Sequence, residues 1–123
     1  MATKKWIFPT ALILFFGIVF LIFRPVPIPY EGDCLIVDGH VAQIYESGTK
    51  DVSIRLKGND KIFYVNRGLE RGLDLNELND MLIGEKILIK YPKYWTPLDP
   101  GSTIRHISKI EFNGRTIFTE LSN

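Results

Sequence analysis

Residues 34–46, CLIVDGHVAQIYE, decide how the folded part of this chain is built. Their β-branched and apolar side chains favour an extended strand. Asp38-Gly39 interrupts the run, and a glycine inside a strand indicates a bulge or a sharp bend. We therefore predict one long strand that bends at Gly39.

Five shorter strands and one helix are predicted after this strand. Alternating apolar residues or clusters of β-branched and aromatic residues mark the strands, and turns such as Asn113-Gly114 join neighbours as hairpins. The helix begins after the predicted N-cap Asp74 and ends before Gly84, with leucines on one face. The strands cover residues 51–57, 61–66, 86–91, 104–112 and 115–120.

The order of these elements resembles the OB-fold, a five-stranded Greek-key barrel. The resemblance is one of architecture, covers roughly residues 34–120, and carries no sequence motif. It implies that the long strand, bent at Gly39, serves both halves of a barrel. Because the final hairpin adds a strand, we expect residues 33–121 to form a mainly-β, OB-like barrel of five to six strands with one short helix. A plain β-roll is the alternative.

An apolar segment precedes this domain. Residues 7–23, IFPTALILFFGIVFLIF, carry no charge, and together with Trp6 they make a segment of 18 residues. As a helix this segment spans about 27 Å, close to the hydrocarbon core of a bilayer. A cleaved signal peptide is the alternative, but its apolar region is usually shorter and ends at small residues, whereas Phe23-Arg24-Pro25 follows here. We therefore predict a transmembrane helix over residues 6–23 that anchors the chain in the lipid bilayer.

The residues on either side of this helix predict its orientation and its connection to the domain. The tail, residues 1–5, contains Lys4 and Lys5, whereas only Arg24 follows the helix directly. The positive-inside rule then places the N-terminus in the cytoplasm and the domain in the periplasm or outside the cell. Residues 24–32, RPVPIPYEG, have a proline at every second position between 25 and 29, which predicts an extended, semi-rigid linker.

Charge and composition argue against several classes of function. From Tyr30 onward, 12 Lys and Arg accompany 14 Asp and Glu, so the net charge is −2. Nucleic-acid-binding domains usually carry a basic stripe, and we predict no nucleic-acid partner. A single cysteine, Cys34, permits no internal disulfide, and no Cys/His pair has the spacing of zinc ligands. We therefore predict no metal, no cofactor and no enzymatic activity, and we assign no catalytic residue.

The stretch KYPKYWTPLDPGSTIRH, residues 90–106, is the main candidate for a binding site. In OB-folds the connection between strands four and five often contacts ligands. Tyr91, Tyr94 and Trp95 are suited to stack on a sugar or a protein surface, with Lys93 beside them. The favoured alternative is a proline-stiffened lid in which Tyr91 and Trp95 are buried against the core, because a domain of this size needs its tryptophan for packing.

Two arginines before the helix are further candidates. Arg67 and Arg71 each precede a glycine, and arginines at a helix entrance can bind a carboxylate or phosphate. Equally, they can pair with Glu70, Asp74 or Glu77 in a purely structural role. Of the two alternatives, we favour the structural role.

These features together favour a single-pass membrane protein with an extracytoplasmic binding or interaction module. An envelope protein or a glycan is the expected partner. One alternative is a structural subunit of a larger membrane complex. A less favoured alternative is an enzyme that uses Cys34, His106 or Asp99.

The predicted orientation has a direct test. We expect a membrane-impermeant thiol reagent to label Cys34 in intact cells, because the orientation places the domain outside the cytoplasm. A second chain with a cysteine added near Ser122 controls for burial of Cys34. Labelling of the added cysteine only after cell lysis would contradict the orientation.

Overall fold

The computed structural model of the protein describes residues 4–121. The two α-helices are α1 (Lys4–Phe23) and α2 (Leu75–Leu82). Short 3-10 turns cover Glu31–Asp33 and Gly68–Arg71. The strands are β1 (Leu35–Glu46), β2 (Val52–Leu56), β3 (Ile62–Val65), β4 (Lys86–Tyr91), β5 (Ile104–His106), β6 (Lys109–Phe112) and β7 (Arg115–Thr119).

Helix α1 is apolar and exposed along most of its length. Residues Lys5–Phe23 have a mean hydropathy of 2.5, and none of this stretch is buried inside the protein. The helix is therefore long and apolar enough to span a membrane, properties that it shares with a signal sequence. The predicted basic tail lies partly outside the described residues, and Lys4 and Lys5 begin α1.

The strands form one seven-stranded mixed sheet in the order β5-β3-β2-β1-β4-β6-β7. All neighbours are antiparallel except β3 and β5, which are parallel. The expectation of a mainly-β domain with one short helix is confirmed. Among residues 4–121 no ladder joins the edge strands β5 and β7, so the sheet itself is not closed into a barrel.

The sheet has more strands than the five or six expected, because the predicted strand 104–112 is divided. Its first part, β5, pairs with β3. Its second part, β6, pairs with β4. Ile107 and Ser108 lie between the two parts, and both are fully buried. The sequence predicts one continuous strand here. In the structure, its first part is hydrogen-bonded to β3 and its second part to β4.

Strand β1 belongs to both halves of the sheet. Its residues 35–40 pair with β4, and its residues 41–46 pair with β2. The change of partner follows Gly39, where a bend was predicted, and the register shifts between Val41 and Gln43. A Cβ at Gly39 would lie 3.3 Å from Cδ1 of Leu56. Glycine thus gives β2 room to pass close to β1 at the point where the pairing changes.

The core fills the space between the two halves and α2. It contains apolar side chains from β1, β2, β3, β4, β6 and β7, to which α2 contributes Leu78 and Leu82. The predicted cap is confirmed, because Oδ1 of Asp74 accepts a hydrogen bond from the Glu77 amide at 3.0 Å. Eight residues make too short a helix to be stable alone, so α2 depends on burying these leucines.

The turn before α2 has no room for a side chain at Gly68. A Cβ there would lie 2.8 Å from Cγ2 of Val52 and 3.1 Å from Cδ1 of Leu73. Val52 is fully buried and cannot move aside without disturbing β2. We expect Gly68→Ala to lower the free energy of unfolding by about 1–3 kcal/mol through overpacking.

Denaturant unfolding of the purified domain would measure this loss. Gly32→Ala is the matched control, because a Cβ at Gly32 meets nothing within 4 Å. Equal midpoints for the two variants would contradict the expected steric conflict.

Candidate functional site

The loop between β4 and β5, residues 92–103, is fixed to the first residue after α1. Nη2 of Arg24 donates a hydrogen bond to the carbonyl oxygen of Trp95 at 2.8 Å. In return, the hydroxyl of Tyr94 donates to the carbonyl oxygen of Arg24 at 3.1 Å. The guanidinium carbon of Arg24 also lies 4.9 Å from the centre of the Tyr94 ring, within the range of a cation–π contact. The two hydrogen bonds and the ring contact therefore hold the loop against Arg24, next to the end of α1.

A second contact ties the linker to the sheet. The carboxylate of Glu31 is an ion-pair partner of Lys109 and lies 3.5 Å from Nζ of Lys90. Glu111 joins the cluster, with its carboxylate 3.4 Å from Nζ of Lys109. The linker 24–32 is therefore bound to the domain near both of its ends, and lies along the domain as well as connecting it to α1.

Asp99 organises the far half of the loop. Its carboxylate accepts hydrogen bonds from the Thr103 amide at 3.1 Å, the Thr103 hydroxyl at 2.7 Å and the Ile104 amide at 2.8 Å. The Ile104 amide, followed by the Thr103 hydroxyl, holds the pKa of Asp99 below its usual range, because these donors stabilise the ionised form. The carboxylate named in the enzyme alternative is thus engaged in shaping its own loop.

The aromatic residues of the stretch take three different positions. Tyr91 is half-buried, makes an edge contact with Phe63 at 5.7 Å, and lies under the guanidinium of Arg105 at 5.2 Å. Tyr94 is half-buried against Arg24. Trp95 remains 47% exposed, and its indole N–H donates to the Pro100 carbonyl at 3.0 Å. Trp95 therefore does not act as the buried lid considered from the sequence.

The remaining predicted contact residues lie around the loop or away from it. Lys93 is exposed. Arg67 has its guanidinium 3.9 Å from the carboxylate of Glu70. Arg71 lies 3.4 Å from the carboxylate of Glu120. Each arginine thus has a carboxylate partner within the chain, although Glu120 was not among the partners expected from the sequence.

A histidine–carboxylate pair is also present, and sequence reasoning missed it. Nε2 of His106 lies 2.6 Å from Oε1 of Glu120, and the two side chains are only 9% and 7% exposed. Nδ1 of His106 is buried without a hydrogen-bond partner among residues 4–121. The Tyr64 ring contacts the imidazole edge-on at 5.5 Å. No local pattern connects His106 on β5 with Glu120, which follows β7, so only the tertiary structure reveals this contact.

These elements enclose a groove of about 250 Å³. The linker, β3, β5 and the loop each contribute residues to its lining. Its lining residues are Val26, Tyr64, Tyr94, Thr96, Leu98, Asp99, Ser102, Ile104 and His106. The groove is thus lined by two phenol rings and an imidazole, together with aliphatic side chains and the polar side chains of Thr96, Asp99 and Ser102.

Much of the groove's polar chemistry is already used within the chain. The Tyr94 hydroxyl, the Asp99 carboxylate and the Thr96 hydroxyl, which accepts from the Leu98 amide at 3.3 Å, all have internal partners. Elsewhere, burial raises the pKa of the Cys34 thiol, which disfavours the reactive thiolate. Within residues 4–121, no group of three or more His, Cys, Asp or Glu side chains is placed to hold a metal ion. The arrangement is suited to binding an apolar or aromatic group.

Comparisons of the chain with protein-family models, with curated proteins and with solved structures found no match. The function of the groove is therefore inferred from its geometry and chemistry.

The hydrogen bonds that Asp99 accepts within the loop are favoured by its ionised form, so we expect the order of the loop to depend on pH. The pKa of Asp99 in the folded chain lies below its unfolded value of about 3.9. The contribution of Asp99 to the stability of the loop is therefore complete above that value and is lost as the pH falls through the folded-state pKa. We expect Trp95 emission, measured in a Trp6→Phe chain, to report loss of loop order in this acid range. Asp99→Asn removes the titrating group and should flatten the acid profile.

Asp60→Asn is the control, since Asp60 is an exposed carboxylate in the turn between β2 and β3. It should keep the acid profile of the parent chain. The same profile for Asp99→Asn would show that Asp99 does not order the loop.

Proposed function

We propose that the chain is a single-pass membrane protein whose extracytoplasmic, OB-like β domain binds a protein partner in the cell envelope. Helix α1 would span the bilayer, supported by its length and by its lack of burial inside the protein. Lys4 and Lys5 before the apolar segment, against Arg24 after it, support a cytoplasmic N-terminus.

The OB-like architecture is supported by the backbone around Ile107 and Ser108. The Ile107 amide donates to the Tyr64 carbonyl on β3, and the Ser108 amide donates to the Lys90 carbonyl on β4, each at 2.8 Å. One continuous segment, residues 104–112, is thus hydrogen-bonded to β3 at its start and to β4 at its end. If β5 and β6 count as a single strand, this segment connects the two halves as the fifth strand of an OB-like barrel would.

The groove under the 92–103 loop is the observation that carries the binding function. It lies at the connection between the fourth and fifth strands of the OB-like order, where such domains often contact ligands. Tyr64, Tyr94 and His106 present ring surfaces to it. Leu98, at the rim, is 71% exposed. A concave, ring-lined site with an apolar rim suits an inserted side chain of a partner.

The chemistry of the groove favours a protein over a glycan. A sugar ring needs several hydrogen-bonding groups beside the aromatic faces, whereas the hydroxyl of Tyr94 and the carboxylate of Asp99 are occupied internally. Exposed aliphatic side chains such as Leu98 and Ile104 gain little against a sugar. They gain from burial against apolar protein surface. We therefore assign the groove to an apolar or aromatic side chain of an envelope protein.

A photo-crosslinking amino acid at position 98 tests this assignment in cells. We expect a covalent adduct with an envelope protein, because Leu98 borders the groove. The same amino acid at Ile83 is the control. Ile83 is also exposed but lies before β4, at the opposite end of that strand from the loop.

Val26→Phe would test whether the groove itself receives the partner. The added ring occupies groove volume and should lower the adduct yield from position 98. Equal adduct yields from positions 98 and 83 would contradict a partner that binds at the groove. They would favour the alternative in which the chain is a structural subunit that contacts other proteins over much of its surface. Adducts that disappear on glycosidase treatment would favour a glycan.

A further inference from the structure

We infer that the tip of the 92–103 loop lies in the headgroup layer of the bilayer, where Trp95 forms a second membrane contact beside α1. This inference rests on the proposed transmembrane anchor. It concerns Trp95, which is not among the residues that line the groove. The occupant is the lipid surface itself.

The position of Arg24 relative to the loop carries the inference. Arg24 directly follows Phe23, the last residue of α1. If α1 spans the hydrocarbon core, Arg24 enters the headgroup layer, which is roughly 5–7 Å thick on each side. The carbonyl oxygen of Trp95 is 2.8 Å from the Arg24 guanidinium, and the Tyr94 hydroxyl is 3.1 Å from the Arg24 carbonyl. Tyr94 and the Trp95 backbone are therefore held at the level of the first residue outside the core.

The exposed apolar side chains of the domain are concentrated at this end. Among the described residues beyond Arg24, the large ones that remain exposed are Ile28, Tyr30, Ile36, Ile83, Trp95, Leu98 and Ile104. Five of these seven belong to the linker or to residues 95–104. Leu98 and Ile104 also line the groove, so the side chains available to the lipid surface are Ile28, Tyr30 and Trp95. Beside the end of a membrane helix, a half-exposed tryptophan occupies the environment that its amphipathic ring prefers.

The charges around the loop fit a lipid surface as well. Arg24 places a guanidinium at the headgroup level, and the exposed Lys93 adds a second cation one residue before Tyr94. Both can approach lipid phosphates. The nearby carboxylate of Asp99 is engaged by the Thr103 and Ile104 amides. Asp99 keeps its negative charge, so the attraction to the phosphates comes from Arg24 and Lys93.

Contact with the bilayer at two points would fix the orientation of the domain. One helix alone allows the domain to rotate and tilt about the linker. The loop tip and the end of α1, joined through Arg24, would hold the domain against the surface. Because Leu98 belongs to the same loop, the rim of the groove would then open along the membrane.

Depth-dependent quenching by brominated phospholipids tests the inference on the full chain in vesicles. The chain has two tryptophans, so Trp6→Phe leaves Trp95 as the only reporter and Trp95→Phe leaves Trp6. We expect Trp95 to lose at least as much emission as Trp6. The loss should be larger with bromines near the headgroup than with bromines near the chain ends.

A third chain, carrying W6F, W95F and I83W together, reports from the far end of the domain. The six residues of β4 span about 20 Å, so its introduced indole should be quenched by aqueous iodide and not by bromolipid. Quenching of Trp95 and Trp6 but not of the indole in this chain supports the inference.

The other outcomes overturn it in distinguishable ways. If Trp6 is quenched and Trp95 is not, the loop is in water while the proposed anchor stands. If neither is quenched, the anchor itself fails. If all three indoles are quenched, the domain lies on the surface without preference for the loop.

Discussion

The sharing of β1 between two partners is the constraint on which the rest of the domain depends. Residues 35–40 pair with β4 and residues 41–46 with β2, so both halves of the sheet take their positions from one strand. Gly39 allows Leu56 to approach the strand where the pairing changes. The apolar side chains on each half then face a common core, which α2 completes with two leucines. If β1 were straight, the half of the sheet that contains β2 and the half that contains β4 would not face the same core.

The same arrangement determines which part of the domain lies next to the end of α1. Strand β4 ends at Tyr91, and the loop that follows is long enough to reach the start of the linker. Arg24 contacts this loop, and Glu31 contacts Lys90 and Lys109 on β4 and β6. A flexible linker would let the domain sample many orientations. Here the prolines limit the freedom of the linker, and the polar contacts near its two ends limit the remainder.

Sequence reasoning singled out the loop after β4, but it did not predict the partners of the loop's side chains. The loop and its aromatic residues were identified from composition, and Tyr94 does line the groove. The partners of those side chains were not predictable. Arg24 is 71 residues from Trp95 in sequence, and Glu120 is 49 residues from Arg71. Local patterns report which residues favour a strand or a turn, whereas contacts at these separations depend on how the strands pair.

The sequence by itself determined the apolar helix, the proline-rich linker, the cap at Asp74 and the strand content, because each follows from local periodicity, turn chemistry or the fixed φ of proline. Only the tertiary structure decided that residues 104–112 divide between two neighbours and that Trp95 stays half-exposed. It also brought His106 to Glu120, and the loop to Arg24. The physical reason is that strand partners are chosen by competition among distant segments for the same backbone hydrogen bonds and the same buried volume. That competition is settled only when the whole domain packs.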